Sequence, residues 1–150
     1  MARTFMSYPV KVTATGVIQT LAQIVAATNT RCVIKGIELG PLGSTGASAS
    51  LEFDLSIQDD AGGLTADSSA IVKLPPASGE TLQTTTLKYN TNTEPTTSTP
   101  QQKFTLHQQG VRLWRPMGGE IIVIGGTRMG LRLITTGVSF PISVNFELEE

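Results

Sequence analysis

The feature that most constrains this chain is a strict alternation of apolar and polar residues along two long segments. Over residues 51–58 every odd position is apolar and every even position is polar, and over 140–148 apolar residues again occupy every second position. Successive side chains of a β-strand point to opposite faces, so the pattern predicts two strands, each with one buried and one solvated face. A third strand of this kind is predicted around Met129, Leu131 and Leu133.

The rest of the chain contains shorter apolar segments that clusters of Gly, Pro and Asp separate. These weaker strand candidates are 10–15, 31–39, 70–74, 81–89, 103–107, 111–114 and 120–124. Turn signals about every ten residues are typical of an antiparallel β-sandwich or barrel, here with about 8–10 short strands and little or no helix. Residues 16–27 also fit a helical face, but we favour a strand because the remainder of the chain is consistently β.

The length predicts one domain over residues 1–150, large enough to fold around its own core. Residues 1–10 are expected to form an extended N-terminal arm, and the Thr-, Ser- and Pro-rich residues 90–102 a long polar loop. Cys32 is the single cysteine, which excludes an intrachain disulfide, and its apolar neighbours indicate a small buried residue. The N-terminal residues lack the apolar core of a secretory signal, which indicates synthesis in a reducing cytoplasm.

The charge content excludes several classes of partner. Only 15% of the residues are charged, against roughly 25% in an average soluble domain. Eleven Lys and Arg stand against twelve Asp and Glu, so the chain lacks the basic excess that binding nucleic acid requires. No apolar run approaches the ~18 residues that a membrane-spanning helix needs, so we expect no membrane partner.

Few residues could support catalysis. His107 is the only histidine, which excludes a His-rich metal site, and no Gly-x-Ser-x-Gly motif accompanies it. Asp59 and Asp60 stand close to a Gly pair and are expected to form a turn, whereas Glu52 and Asp54 are expected to be solvated or interfacial charges. A hydrolase would have to use His107 or the Asp59–Asp60 pair. The sequence therefore predicts no enzyme, no cofactor and no metal ion.

Two features indicate association through the surface of the protein. Trp114, between Leu113 and Arg115 and near Arg112, is expected in the core or at an interface, the alternative being a platform for a sugar or a base. Residues 121–124 are apolar at every position, so both faces of this strand need a cover. The second sheet supplies one cover, and a neighbouring subunit is the simplest source of the other.

The C-terminal third carries a distinctive order of motifs. They are Trp114-Arg-Pro116, Gly119-Glu120 followed by an apolar run to Gly125-Gly126, Gly130-Leu-Arg-Leu133, and the acidic ending of residues 144–150. This order resembles the ending of small head proteins of tailed bacteriophages. The resemblance implies a β-sandwich of jelly-roll type that binds the outside of a phage capsid as a decoration or cement protein.

The resemblance also implies a homotrimer that contacts the major capsid protein at junctions between its subunits, on the surface of the virion. We expect the arm over 1–10 and the loop over 90–102 to supply contacts. The anchors are predicted among Arg and aromatic residues, which dominate interfaces, and the candidates are Arg3, Tyr8, Arg112, Trp114 and Arg115. The alternative function is a carbohydrate- or receptor-binding β-sandwich of a phage tail or fibre, with Trp114 as the platform.

Overall fold

A computed structural model of the chain describes residues 4–7, 10–42, 50–63, 65–66, 71–73, 86–89, 93–107, 110 and 112–150. These residues contain thirteen β-strands and no helix, which confirms the predicted all-β class with more strands than expected. The strands are β1 (Thr4–Ser7), β2 (Val10–Thr13), β3 (Gln19–Val25), β4 (Cys32–Pro41), β5 (Ser50–Gln58), β6 (Thr65–Ala66), β7 (Ile71–Lys73), β8 (Thr86–Tyr89), β9 (Thr97–His107), β10 (Arg112–Trp114), β11 (Ile121–Val123), β12 (Arg128–Leu133) and β13 (Pro141–Glu149).

The strands form two antiparallel sheets that pack against each other as a β-sandwich. The seven-stranded sheet has the order β10-β4-β13-β1-β7, with β11 beside β10 on β4 and β2 beside β1 on β13. The six-stranded sheet has the order β6-β8-β3-β12-β5-β9. Residues 16–27 contain β3 and no helix, so the strand favoured there is confirmed.

The core lies between the sheets and consists of the apolar positions that the alternation predicted. Phe53 and Leu55 of β5 belong to the same cluster of buried apolar side chains as Phe146 and Leu148 of β13, and all four are fully buried. Cys32 is also buried, as expected. The alternation therefore sets the orientation of both long strands, because a slip of one residue would move every apolar side chain to the wrong face.

The strands β6, β7 and β8 come from an excursion of the chain between β5 and β9. β7 extends the seven-stranded sheet beyond β1, and β8 and β6 extend the other sheet beyond β3. The excursion thus enlarges one side of the sandwich. On the opposite side the sheets end in β10 and β11 and in β9, and we call this side the open edge.

Two sequence expectations about extended segments need correction. Residues 97–102 are not part of a loop but the first half of β9, paired with β5, while 93–96 are irregular and 90–92 lie outside the described residues. The low-complexity composition concealed this strand, although Thr favours strands and Pro100 is tolerated at a sheet edge. Residues 4–7 of the expected N-terminal arm form β1, which pairs with both β13 and β7, while 1–3 and 8–9 lie outside the described residues.

Candidate functional site

One end of the open edge is closed by stacked aromatic rings. Phe104 of β9 stacks on Phe53 with ring centroids 5.5 Å apart and on Trp114 of β10 with centroids 4.7 Å apart. Trp114 joins the two sheets in this way and is only 6% exposed. Trp114 is therefore neither an exposed anchor nor an accessible platform for a sugar ring, because its face is already covered by Phe104.

The two arginines beside Trp114 make contacts within the chain. A guanidinium N–H of Arg112 donates to the backbone carbonyl of Thr105, which ties β10 to the outer side of β9. Arg115 forms an ion pair of 3.0 Å with Glu147 while its side chain stays largely exposed. The other two interface candidates, Arg3 and Tyr8, lie outside the described residues.

The other end of the open edge contains a groove of about 340 Å³ between β9 and β11. Its most buried lining residues are apolar, Ile57, Ile121 and Met129, and Gln101 and Gln102 of β9 line it from the other sheet. The pairing of β9 with β5 shifts register twice along this stretch, between Leu55 and Ser56 and between Ile57 and Gln58. Because bulges bend a strand away from regular pairing, the groove opens where β9 is irregular.

Large apolar side chains are exposed along the same edge. Ile121 and Val123 of β11 face the core, but Ile122 and Ile124 point the other way and Ile124 is 67% exposed. The prediction that this strand carries apolar residues on both faces is therefore confirmed, and the described part of the chain covers only the face of Ile121 and Val123. Four large apolar side chains are exposed along this edge, and we call them the edge patch: Leu113, Met117, Ile122 and Ile124.

The charges next to the edge patch are paired within the chain. The Lys35 ammonium lies 2.5 Å from a carboxylate oxygen of Glu120 and 3.3 Å from one of Glu149. The hydrogen bond from Lys35 lowers the pKa of Glu120, and its bond to Glu120 raises the pKa of Lys35. On β9, Lys103 lies 3.5 Å from Glu52. A molecule that covers the edge patch would therefore meet charges that already have partners.

The outer face of the six-stranded sheet differs from the expectation of a solvated surface. Asp54, Ser56 and Gln58, the polar side of β5, are all buried, and Asp54 is only 2% exposed. The Asp54 carboxylate accepts a hydrogen bond of 2.7 Å from the Ser56 hydroxyl and lies 3.5 Å from the Arg132 guanidinium. The expectation that Asp54 is a solvated or interfacial charge is wrong, because the chain itself buries this side chain.

A continuous chain of hydrogen bonds crosses this buried polar face. The Gln23 amide donates to the Gln58 carbonyl oxygen at 2.7 Å, and the Gln58 amide donates to the Thr20 hydroxyl at 2.7 Å. The Thr20 hydroxyl donates to Glu94, whose other carboxylate oxygen accepts from the Thr20 backbone N–H at 2.7 Å. These bonds hold the end of the excursion, at Glu94, on β3.

The two ends of the excursion are also tied to each other. The Asp59 backbone N–H donates to the Thr96 carbonyl at 3.0 Å, and the Asp60 carboxylate accepts from the backbone N–H groups of Gly62 at 2.7 Å and Thr96 at 3.3 Å. A hydrogen bond from the Thr96 side chain is the largest cause that lowers the pKa of Asp60 from its ordinary value of 3.8, and the backbone N–H groups of Gly62 and Thr96 and the charge of Arg128 lower it further. The Asp pair therefore has a structural role as a turn, as its neighbouring glycines indicated.

We expect Asp60→Asn to lower the free energy of unfolding at neutral pH. In acid, where Asp60 of the wild type is protonated, the variant and the wild type should be about equally stable. The lowered pKa means that the stabilising contribution of the ionised carboxylate is fully present above pH 3.8 and is lost as the pH falls through the lower pKa of the folded state. Urea midpoints of the wild type and the variant at pH 7 and pH 2–3 measure this difference. Thr96→Val should produce a deficit with the same pH dependence, and equal deficits of Asp60→Asn at both pH values would contradict the assignment.

The residues considered for catalysis lie apart from one another in the described part of the chain. They contain no group of three or more His, Cys, Asp or Glu side chains placed to hold a metal ion. His107 is exposed at the end of β9, opposite Ser50 of β5, and the Asp59–Asp60 turn is at the base of the excursion. No helix in the described part of the chain is long and apolar enough to cross a membrane.

Comparisons with known proteins leave the site to be interpreted from its own geometry. No family model matches the chain, and neither the curated proteins nor the solved structures contain a match. The groove residues Gln101, Gln102 and Ile57 were not anticipated, because the groove depends on bulges that no local pattern reveals. Met117 was detectable in principle, since Pro-Met-Gly-Gly places a large apolar residue in a turn.

Proposed function

We propose that this chain is a structural protein that binds the outside of a bacteriophage capsid as a homotrimer and stabilises contacts between major capsid protein subunits. The edge patch carries this proposal. Four large apolar side chains are exposed along one edge of a chain that has few charges, and the neighbouring charges are paired internally. Exposed apolar surface that is concentrated on one part of a protein is typical of interaction sites.

The strand order supports a jelly-roll connectivity for this proposal. If β1 and β2 are counted as one strand, as are β10 and β11, and the excursion is left out, each sheet has four strands. Every connection along the chain then crosses to the opposite sheet, except the one from β5 to β9. Jelly rolls consist of two such sheets and are common in viral capsid domains.

An oligomer that binds the capsid through several subunits at once is consistent with the small size of the edge patch. Four side chains are far fewer than the roughly 20–30 residues per side of a stable interface. A trimer that engages three capsid subunits at once gains avidity from the second and third contacts without any stronger single contact. The proposal therefore needs only a modest contact from each copy.

Two measurements test this function. Light scattering should give about three times the 15.9 kDa mass of the chain, and the protein should co-sediment with expanded shells of the phage that encodes it, but not with unexpanded precursor shells. Ile124→Glu should weaken shell binding, whereas Val17→Glu, which changes an exposed apolar residue of the β2–β3 loop, should leave it intact. A monomeric protein that ignores both shell types would contradict the proposal.

A further inference from the structure

We propose that a pocket on the outer face of the seven-stranded sheet, between β10, β4 and β13, holds an arginine side chain of the protein partner. The pocket has a volume of about 310 Å³, and Leu113 of the edge patch is one of its walls. This inference rests on the proposed function for the identity of the partner, a major capsid protein subunit. It adds the side chain that this partner contributes.

The pocket is formed by two rows of residues that are paired across the sheet. In the first row Glu38 of β4 lies between its register partners, Leu113 of β10 and Asn145 of β13. In the second row Glu147 of β13 is opposite Gly36 of β4. Directly opposite residues of antiparallel strands have neighbouring side chains on the same face of the sheet. The polar side chains of both rows therefore line one surface.

Gly36 leaves the space between the two rows open. A Cβ atom at this position would lie 3.4 Å from a carboxylate oxygen of Glu147, 3.4 Å from the Trp114 carbonyl oxygen and 3.5 Å from Leu113 Cδ1. A side chain at residue 36 would therefore occupy this space. With about 310 Å³, the pocket is at the lower end of the roughly 300–1,000 Å³ of small-molecule sites, which suits a single side chain of a partner.

The charges of the pocket are not balanced. Two carboxylates, those of Glu38 and Glu147, line it together with one guanidinium, that of Arg115, which is paired with Glu147 at 3.0 Å. The exposed Glu38 carboxylate accepts a hydrogen bond of 3.5 Å from the Asn145 amide. No ion pair within the described part of the chain involves Glu38. Glu38 is thus the exception among the charges beside the edge patch, and one negative charge of the pocket is uncompensated.

This charge determines which occupant the pocket fits. An apolar side chain over the pocket would remove Glu38 from water without a counter-charge, which is costly, and an acidic side chain would add a like charge. A metal ion has too few ligands, because the lining contains no acidic or imidazole group besides the two carboxylates, and Arg115 already binds one of them. A cationic side chain of the partner compensates Glu38 directly.

Arginine suits the surroundings of Glu38 better than lysine. Its planar guanidinium can donate two parallel hydrogen bonds to the Glu38 carboxylate, a geometry that an ammonium group lacks. Its aliphatic stem can lie along Leu113, which is 56% exposed. Because Leu113 belongs to both the pocket and the edge patch, a capsid subunit that covers the patch is in position to supply this side chain.

An NMR titration of the isolated protein tests the pocket without the capsid. N-acetyl-arginine amide is added to the full chain labelled with a nitrogen isotope. We expect saturable shifts of the backbone amides around Glu38 and Asn145, with a millimolar dissociation constant, as for the contact of one side chain. N-acetyl-citrulline amide has nearly the same shape without the charge and should cause no such shifts. Equal shifts with both compounds, or no saturation up to about 50 mM of the arginine compound, would overturn the proposal.

Glu38→Gln is the decisive variant in this titration. It preserves the size of an exposed side chain and removes its charge, so the dissociation constant of N-acetyl-arginine amide should rise at least about tenfold, while the thermal midpoint stays unchanged. Glu52→Gln changes an exposed carboxylate of the other sheet and should bind like the wild type. If Glu38→Gln also binds like the wild type, or if N-acetyl-lysine amide binds the wild type as tightly as the arginine compound, the arginine pocket is wrong.

Shell binding separates this inference from the proposed function. Glu38→Gln should weaken co-sedimentation with expanded shells and make it less sensitive to salt, because salt screens exposed ion pairs. Glu52→Gln should leave both properties unchanged. Shells that bind the wild type and Glu38→Gln equally would overturn the arginine contact and leave the proposed function intact. Shells that bind neither protein would contradict the proposed function and, with it, the partner assigned to the pocket.

Discussion

Trp114→Ala is expected to lower the free energy of unfolding by about 3–5 kcal/mol, the range for truncating a large aromatic residue in a core. The indole of Trp114 stacks on Phe104 and joins β10 to the six-stranded sheet, so alanine would leave a cavity between the two sheets. Urea unfolding followed by far-UV circular dichroism measures the loss. Leu113→Ala, at the neighbouring position of the same strand, should cost less than about 1 kcal/mol because Leu113 is 56% exposed.

The conservative variant Trp114→Phe keeps this prediction testable if the alanine variant does not fold. It should recover most of the lost stability, since a phenyl ring can still stack on Phe104. Trp114 is the only tryptophan, so the fluorescence of the wild type reports on this site alone. If Trp114→Ala and Leu113→Ala lower the free energy of unfolding equally, Trp114 is not part of the core. Trp114 would then again be a candidate for an interface anchor.

The strands were predictable from sequence where apolar and polar residues alternate. Residues 51–58 and 140–148 correspond to β5 and β13 within one residue at each end, and β12 covers the predicted strand around Met129. A two-residue period determines which side chains share a face, and burial of one face then determines the sheet to which the strand packs. The β-sandwich therefore follows from local pattern and turn spacing.

The burial of polar residues was not predictable, because it depends on chain segments far away in sequence. Asp54 and Gln58 look like the solvated half of an alternating strand, and only the fold buries them, Asp54 beside Arg132 of β12 and Gln58 beside Gln23 of β3. The Gln23 side chain, for example, donates to both Gln58 and the backbone carbonyl of Asp60. The alternating pattern predicted correctly which side chains of β5 share a polar face. It could not predict that this face is buried, because the burial depends on residues that are distant in sequence.

The open edge was predictable only in part. The apolar residues 121–124 indicated that something must cover this strand, and the structure leaves Ile122 and Ile124 exposed. The groove itself depends on the double register shift of β9, in a segment whose Thr- and Gln-rich composition is typical of loops. Composition can show that a surface is suited to association, but the position of a bulge depends on strand pairing that is not encoded locally.

Asp54→Ala should destabilise the fold by about 3 kcal/mol, the lower end of the range for breaking a buried ion pair by removing one partner. The Arg132 side chain is only 15% exposed, and with Asp54 removed its remaining carboxylate neighbour is Glu94 at 3.7 Å. The Ser56 hydroxyl would also lose its acceptor. Glu52→Ala, two residues earlier on the same polar side of β5, is the matched control and should cost less than about 1 kcal/mol, because its pair with Lys103 is solvent-exposed.

The double variant Asp54→Ala/Arg132→Met distinguishes between two sources of the lost stability. One is the Arg132 guanidinium that has lost its Asp54 partner, and the other is the loss of the Asp54 carboxylate as a hydrogen-bond acceptor for Ser56. If the uncompensated guanidinium dominates, removing it should return part of the lost stability, because a buried pair replaced by apolar residues is often close to neutral. Additive losses in a double-mutant cycle of urea midpoints would show that Arg132 and Asp54 are not coupled. A coupling energy between the two substitutions would show that Asp54 and Arg132 stabilise the buried polar face of β5 as one network.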